Sequence, residues 1–243
     1  AKIAAGDVPR MQVDELKAAL AELSASFLGS ERVEPHIQSL YNTICATCGQ
    51  IISAEAFIWE HGNPAPYLRI YTCPNCGDNG EHPCTANDVE LAGRFSSSGL
   101  HRARALERVV AANDPDRIHV EQALSVYPPR TLYALITIIN KVEGLNLSPT
   151  GKKYLCALLL YAFDLTTAMW RDPSQKDRRR QLSIPHYFRE NNVWYALEEG
   201  IKIWSTADSE ELKPAIPLTY WPDLPPTSGG ICIFEGRFLS LAD

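Results

Sequence analysis

Hydrophobic residues recur along most of this chain at the alternating three- and four-residue steps of amphipathic helices. The first such segment covers residues 13–28, and a later one covers residues 132–142. Residues 100–112 carry Arg102, Arg104 and Arg108 along a mixed face. Another helix is predicted after Ser148, which can cap it and is followed by Pro149 at the first helical position. This last helix is apolar nearly all round, so we expect it at the centre of the core.

Two stretches have the β-branched and aromatic composition of strands, residues 51–59 and 67–72. A connection rich in Gly and Pro, residues 62–66, joins them. Asp88 can cap a helix entry after them. The pattern therefore predicts a small β unit set between helical segments.

The last part of the chain contains one further helix and one short strand. Asn191 or Asn192 can cap a helix over residues 193–204, and residues 205–230 have the composition of a connection. Residues 231–234 form an apolar run typical of a buried strand. A buried strand needs neighbours, so we expect this one to belong to a larger sheet.

Composition places the chain among globular proteins that do not enter a membrane. It has 243 residues, of which 45% are hydrophobic, enough for a real core. Its longest apolar stretch, residues 155–163, is far shorter than the roughly 20 residues that a membrane span requires. No secretory leader is recognisable, and the remaining cysteines are scattered, so we predict a cytoplasmic protein without a membrane partner.

Four cysteines carry the strongest chemical signal. They form two Cys-x-x-Cys-Gly knuckles, with Cys45 and Cys48 in the first and Cys73 and Cys76 in the second. Four thiolates suit tetrahedral Zn²⁺ and leave no open position for catalysis, so a structural zinc ribbon is predicted. Disulfides are the alternative, and the intracellular character of the chain argues against them.

Two neighbouring residues offer spare ligands. His82 and Cys84 lie close to the second knuckle, and either can replace one of the four cysteines as far as ligand chemistry is concerned. A zinc hydrolase that uses His61, His82 and Cys84 is a further alternative, although no general base stands at metal spacing from these residues.

Charge is distributed unevenly. The formal net charge is -6, yet residues 152–189 contain eight Lys/Arg against three Asp/Glu, while residues 190–243 contain three against nine. A basic face is therefore possible on an acidic protein. The alternative for the basic run at residues 176–180 is a solvated loop without a partner.

Several motifs resemble the zinc-containing insert of large bacterial amino-group DNA methyltransferases. The resemblance covers about residues 40–204 and comprises Leu40-Tyr41, the knuckle Cys45-x-x-Cys48-Gly49, Ile58-Trp59, the knuckle at Cys73, Arg130-x-Leu132-x-Ala134-Leu135, and Tyr187-x-x-Glu190 followed by Asn191-Asn192-Val193-Trp194.

That resemblance implies a non-catalytic fragment of an enzyme that moves a methyl group from S-adenosylmethionine to the exocyclic amine of adenine or cytosine. In the family, the cofactor-binding turn precedes this region and the catalytic Asp/Asn-Pro-Pro-aromatic tetrapeptide follows it. Residues 223–226 depart from that tetrapeptide through an inserted leucine. S-adenosylmethionine is then expected only in the full-length protein, where the catalytic domain of the same polypeptide is the partner.

The resemblance also implies DNA as a partner. The expected phosphate contacts are Arg178, Arg179 and Arg180, with Lys152 and Lys153 as weaker candidates.

A polar functional corner is possible at Glu190 and Asn191, and the alternative is that these two residues only cap and anchor a helix.

The predicted fold class is α+β, mainly α with a small β zinc ribbon, and the terminal strand is expected in a larger α/β methyltransferase sheet. The predicted organisation is an N-terminal amphipathic helix (1–40), a zinc ribbon (41–92), a helical domain (93–205), and a linker with the terminal strand (206–243). The alternative function is a structural or protein-interaction module braced by the same zinc.

Overall fold

The structure is a computed structural model and describes residues 10–95, 99–170, 182–206, 218–220 and 231–233. Its helices are α1 (Arg10–Ala25), α2 (Val33–Ser39), α3 (Ala86–Gly93), α4 (Leu100–Val109), α5 (Arg117–Ser125), α6 (Pro129–Gly144), α7 (Pro149–Leu165) and α8 (Val193–Thr206). Its strands are β1 (Phe27–Leu28), β2 (Glu31–Arg32), β3 (Asn42–Ile44), β4 (Ile51–Ser53), β5 (Ala56–Glu60), β6 (Leu68–Thr72), β7 (Asn79–Pro83), β8 (Tyr187–Asn191), β9 (Leu218–Tyr220) and β10 (Ile231–Ile233).

The strands form small sheets, and the predicted α+β class is confirmed. The largest sheet has four antiparallel strands in the order β7-β6-β5-β8. Strands β1 with β2 and β3 with β4 form antiparallel pairs, whereas β9 and β10 pair in parallel. The described residues show no larger sheet around β10, so the expected methyltransferase sheet stays a prediction.

Strand β8 joins the β unit to the helical part of the chain. It pairs with β5 over its full length, from Ala56 opposite Asn191 to Glu60 opposite Tyr187. The sheet therefore combines strands from both sides of residue 92, the predicted boundary between the zinc ribbon and the helical domain. Helix α8 begins directly after β8, so this pairing also sets the position of the last long helix.

The main core lies between the helices and one face of the sheet. Helices α1, α2, α6, α7 and α8 contribute buried side chains to it, and β5 contributes Phe57. Helices α7 and α8 approach closely at Gly200, where an added Cβ would lie 2.5 Å from Leu158 Cδ1. The prediction that α7 is central agrees with its fully buried Leu155 and Leu158.

Two helix ends differ from the expectation. Helix α1 ends at Ala25 instead of continuing to Leu28, because Gly29, with φ of 64°, turns the chain into the β1–β2 hairpin. Helix α3 is capped by Thr85, and Asp88 completes a capping box from the third helical position. Asp88 therefore contributes to the helix start without being the cap itself.

Among the described ranges, no helix has both the length and the apolar character that a membrane crossing requires.

Candidate metal centre and the buried network behind it

The two cysteine knuckles share one backbone conformation. In the first, Cys45 N–H donates to the carbonyl of Gln50 at 2.9 Å, and Gly49 N–H donates to the carbonyl of Cys45 at 3.0 Å. The second knuckle repeats both bonds, from Cys73 to the carbonyl five residues further on and from Gly77 back to Cys73. Both glycines have positive φ, 73° and 75°, a backbone conformation that glycine adopts without strain.

The turns bring the four predicted sulfurs together. Cys45 Sγ lies 3.6 Å from Cys76 Sγ, and Cys48 Sγ lies 3.6 Å from Cys73 Sγ. All four sulfurs lie within 4.8 Å of one another. In a tetrahedral site with Zn–S bonds of about 2.3 Å, sulfurs are separated by roughly 3.8 Å. The donor set and its dimensions therefore fit a structural zinc ion.

The thiols do not share one proton affinity. Hydrogen bonding from Asn75 is the main cause that lowers the pKa of Cys48 to about 6. For Cys76, a hydrogen bond with the backbone of Asp78 lowers the pKa, but desolvation and the neighbouring sulfurs outweigh it and raise the pKa to about 12. Four thiolates at this separation repel one another, so a divalent cation is what allows all four to lose their protons together.

A polar group stands directly behind the sulfurs. Tyr71 hydroxyl donates to Asp78 Oδ2 at 2.9 Å and accepts from the Ala46 N–H at 2.9 Å. Burial is the main cause that raises the pKa of Tyr71 to about 12, so the hydroxyl keeps its proton. The ring of His82 stacks on Tyr71 with centroids 4.6 Å apart. These contacts hold the first knuckle against the second.

The spare ligands His82 and Cys84 lie outside the cluster. Within the described part of the chain, the group of side chains close enough to hold a metal consists of the four cysteines. Cys84 packs against the main core, and burial raises its pKa to about 12, so it is a protonated thiol. His61, His82 and Cys84 do not form a ligand group, and the hydrolase alternative loses its metal site.

Replacing Gly77 by alanine is expected to destabilise the zinc-loaded protein by about 1–2 kcal/mol, because its left-handed backbone disfavours a Cβ. Gly93→Ala is the matched control, since an added Cβ at either position meets no atom within 4 Å but Gly93 lies at the end of helix α3. The control should stabilise the protein by up to about 1 kcal/mol. Urea unfolding measures both, and equal shifts would contradict the assignment of strain to Gly77.

A second polar centre is buried between the sheet and helix α6. Arg130 and Glu190 form a two-point ion pair, with Nε to Oε1 at 3.0 Å and Nη2 to Oε2 at 2.5 Å. Their side chains are only 2% and 1% exposed. Trp59 donates its indole N–H to Glu190 at 2.7 Å, and Arg130 donates its remaining amino group to the carbonyl of Leu40 at 3.1 Å.

Two aromatic rings enclose the guanidinium of this pair. Its central carbon lies 4.7 Å from the ring centre of Tyr41 and 4.5 Å from that of Phe57, within the range of cation–π attraction. Burial by itself would lower the pKa of Arg130, but the charge and hydrogen bonds of Glu190 outweigh burial, so the pKa is raised. Burial, followed by the charge of Glu190, also raises the pKa of Tyr41.

The two residues of the predicted functional corner, Glu190 and Asn191, make different kinds of contact. Glu190 belongs to the buried network, whereas Asn191 donates to the carbonyl of Leu165 at 2.7 Å and accepts from Arg189. Asn192 is the residue that caps α8, since its Oδ1 accepts from the Trp194 N–H at 3.0 Å. The corner thus contains one ion-pair partner, Glu190, and one anchor, Asn191, and the helix cap is the next residue, Asn192.

Another buried ion pair was not predicted. Arg69 donates to Asp88 at 3.0 Å and to Thr43 at 2.9 Å, and it fastens helix α3 to the sheet. Arg69 is one of three consecutive buried residues of β6, but nothing in the local sequence identifies its partner.

The predicted DNA contacts are only partly described. Arg178, Arg179 and Arg180 lie outside the described residues. Lys152 and Lys153 lie in the first turn of α7, where Lys152 donates to the carbonyl of Glu143 at 3.3 Å and Lys153 is exposed.

No family model, curated protein or solved structure matched this chain.

Proposed function

We propose that this chain is a non-catalytic, zinc-stabilised region of an S-adenosylmethionine-dependent amino-group DNA methyltransferase, and that it helps to engage or position DNA. The observation that carries the proposal is a convergence. The resemblance rests on short motifs that are scattered over about 150 residues of sequence, and the buried network brings four of them into contact: Leu40-Tyr41, Trp59, Arg130 and Glu190. A shared network is what the proposal expects of motifs that belong to one architecture.

The zinc in this proposal serves folding. The four-cysteine centre fixes β3–β4 to the end of β6, and β6 is hydrogen-bonded to β5, the strand that carries Trp59. The knuckle loops, residues 45–50 and 73–78, contain no Lys or Arg, so phosphate contacts are expected elsewhere. S-adenosylmethionine would bind to the catalytic domain of the full-length protein.

DNA binding tests the proposal directly. Fluorescence anisotropy of labelled duplex and single-stranded DNA is measured over a salt series, first at about 50 mM salt. The triple variant with serine at Arg178, Arg179 and Arg180 is expected to bind more weakly, and its log K against log salt slope should flatten by up to about 2.7 on duplex DNA, about 0.9 for each lost phosphate contact.

The control removes the same number of charges from the surface elsewhere. Serine at Arg32, Arg108 and Arg117 gives a matched triple variant, in which Arg108 and Arg117 are already ion-paired with glutamates. Its salt slope is expected to stay unchanged. Equal slopes for both triple variants would remove the basic run as the contact, and absence of DNA binding at low salt would overturn the proposal.

A second function is favoured by one specific observation. Strands β9 and β10 pair in parallel, and parallel sheets occur almost only where further strands and helices cover them. A structural or protein-interaction module that braces another domain through these strands is therefore the alternative. It predicts tight association with a catalytic domain and no affinity for DNA, which the same anisotropy measurement distinguishes.

A further inference from the structure

A cavity of about 820 Å³ lies between the sheet and the helices α3, α4 and α6. Its size falls in the range of small-molecule sites, about 300–1,000 Å³. One side is formed by β5 with the turn after it and by β8. The opposite side is formed by the end of α3, the start of α4 and the start of α6. The cavity is separate from the zinc centre, because none of the four cysteines lines it.

Aromatic side chains form much of the cavity wall. Trp59 and Phe188 lie side by side with ring planes within 5° of parallel and centroids 6.1 Å apart. Phe95 and Tyr127 line the cavity as well. Each of the four is held by a neighbour, as in the contact between Phe95 and Tyr133, with ring centroids 5.4 Å apart. Planar walls of this kind favour a planar aromatic ligand.

The floor of the cavity is polar but already neutralised. Arg130 and Glu190 both line it, and their ion pair leaves neither charge without a partner. The indole N–H of Trp59 is used by Glu190, so the ring of Trp59 is held in one orientation. This arrangement makes a rigid floor, which lowers the entropic cost of binding a ligand.

The rim carries positive charge. Arg102 donates to the backbone carbonyls of Leu124 and Glu121, at 3.1 and 2.9 Å, which fixes its guanidinium without a carboxylate partner among the described residues. Arg94 lines the same cavity, and its pair with Glu90 is exposed, with side chains 62% and 69% accessible. With Glu90 counted beside its partner Arg94, three arginines face three carboxylates, so Arg102, which has no carboxylate partner among the described residues, is the rim cation that favours an anionic ligand.

We infer that this cavity binds one unpaired nucleotide, with the base against the aromatic walls and the phosphate at Arg94 and Arg102. Stacking of bases on aromatic side chains is tolerant of sequence, and arginine at the rim supplies the phosphate contact. A purely apolar ligand would make no use of the arginines at the rim. A metal ion is not favoured either, because the described lining residues offer no group of ligand side chains within reach of one ion. The inference rests on the proposed function insofar as the nucleotide belongs to a DNA strand.

Base pairing restricts which DNA can use the site. A base stacked in a duplex cannot enter a cavity without leaving the helix, so single-stranded DNA is the expected ligand. A free mononucleotide has the same chemistry and is the second source to be tested.

Two variants act on the cavity, one by filling it and one by removing a charge. Gly93→Trp introduces a large side chain at a lining position where an added Cβ meets no atom within 4 Å. Its control is Gly144→Trp, also at the end of a helix with free space but not in the cavity lining. Arg94→Gln removes a rim charge, and its control is Arg108→Gln on the surface of α4, where the arginine is also paired with a glutamate.

The experiment measures anisotropy of a labelled oligothymidylate of about 12 nucleotides and, in a separate calorimetric titration, direct binding of thymidine monophosphate, both with zinc-loaded protein. Both cavity variants are expected to lose about tenfold in affinity for the oligonucleotide while both controls bind as the unmodified chain does. Circular dichroism spectra and urea unfolding midpoints of all four variants are measured to check that each variant is folded.

The outcomes separate this inference from the proposed function. Oligonucleotide binding that is equal in all variants would overturn the cavity inference and leave DNA engagement standing. Mononucleotide binding that depends on the cavity, without oligonucleotide binding, would support the cavity as a nucleotide site and overturn single-stranded DNA as its ligand. Absence of binding by either probe would overturn the cavity inference, whereas the duplex titration of the basic run decides DNA engagement separately.

Discussion

Cys73→Ser is expected to abolish zinc binding and unfold the β part of the protein. Structural zinc contributes about 10–16 kcal/mol of apparent binding free energy in small modules near pH 7, comparable to the whole stability of a typical domain, about 5–15 kcal/mol. Cys73 is only 1% exposed and directly follows β6, the strand that is hydrogen-bonded to both β5 and β7, so the loss of this ligand should spread through the sheet.

Native mass spectrometry and circular dichroism measure this effect, with one zinc per chain expected for the unmodified protein and none for the variant. Cys156→Ser is the control, because Cys156 is an exposed thiol on α7 outside the cluster. Chelation of zinc from the unmodified chain should reproduce the variant. Zinc retained in Cys73→Ser, or a metal-free chain with unchanged urea stability, would contradict the assignment of the site.

Glu190→Gln is expected to cost about 3–5 kcal/mol of unfolding free energy, because it leaves the charge of Arg130 buried without a counter-ion. Glutamine has nearly the same shape, and its single carbonyl oxygen can still accept from Trp59 and from Arg130 Nη2, but its NH2 group cannot accept from Arg130 Nε. The loss therefore reports the charge and one hydrogen bond rather than packing. The control is Glu90→Gln, which breaks the exposed pair with Arg94 and should cost less than about 1 kcal/mol.

A double variant separates charge from shape in this network. Adding Arg130→Met to Glu190→Gln removes the uncompensated charge, so the double variant is expected to be more stable than Glu190→Gln alone in urea unfolding. Additive destabilisation by the two changes would show that packing, not electrostatics, holds Arg130 and Glu190 together.

The two-centre arrangement links stability to the proposed function. The four-cysteine centre lies at the outer end of the sheet, and the ion pair of Arg130 with Glu190 holds the inner end of the sheet against α6. The cavity lies between the inner end and the helices, so the floor of the proposed nucleotide site depends on the same ion pair. A loss of nucleotide affinity in Glu190→Gln therefore reports floor geometry and is distinct from the loss in Arg94→Gln.

The sequence by itself determined the features that depend on local spacing. The knuckles placed Cys45 and Cys48, and likewise Cys73 and Cys76, on turns that favour glycine at the closing position, so the four-sulfur group was predictable from residue spacing alone. The periodic helices and the cap at Ser148 followed from interactions within one or two turns, and Ser148 does accept from the Gly151 N–H.

Only the tertiary structure decided the partners of the buried polar residues. Trp59 reaches Glu190 across 131 positions and Arg130 reaches it across 60, and such distances carry no periodic signal. From the sequence, strand β8 could not be distinguished from the loop that precedes helix α8. Its hydrogen bonds come from pairing with β5, and that pairing is what makes it a strand. The cavity exists only where these distant segments meet, because its walls come from several packed elements rather than from any one of them.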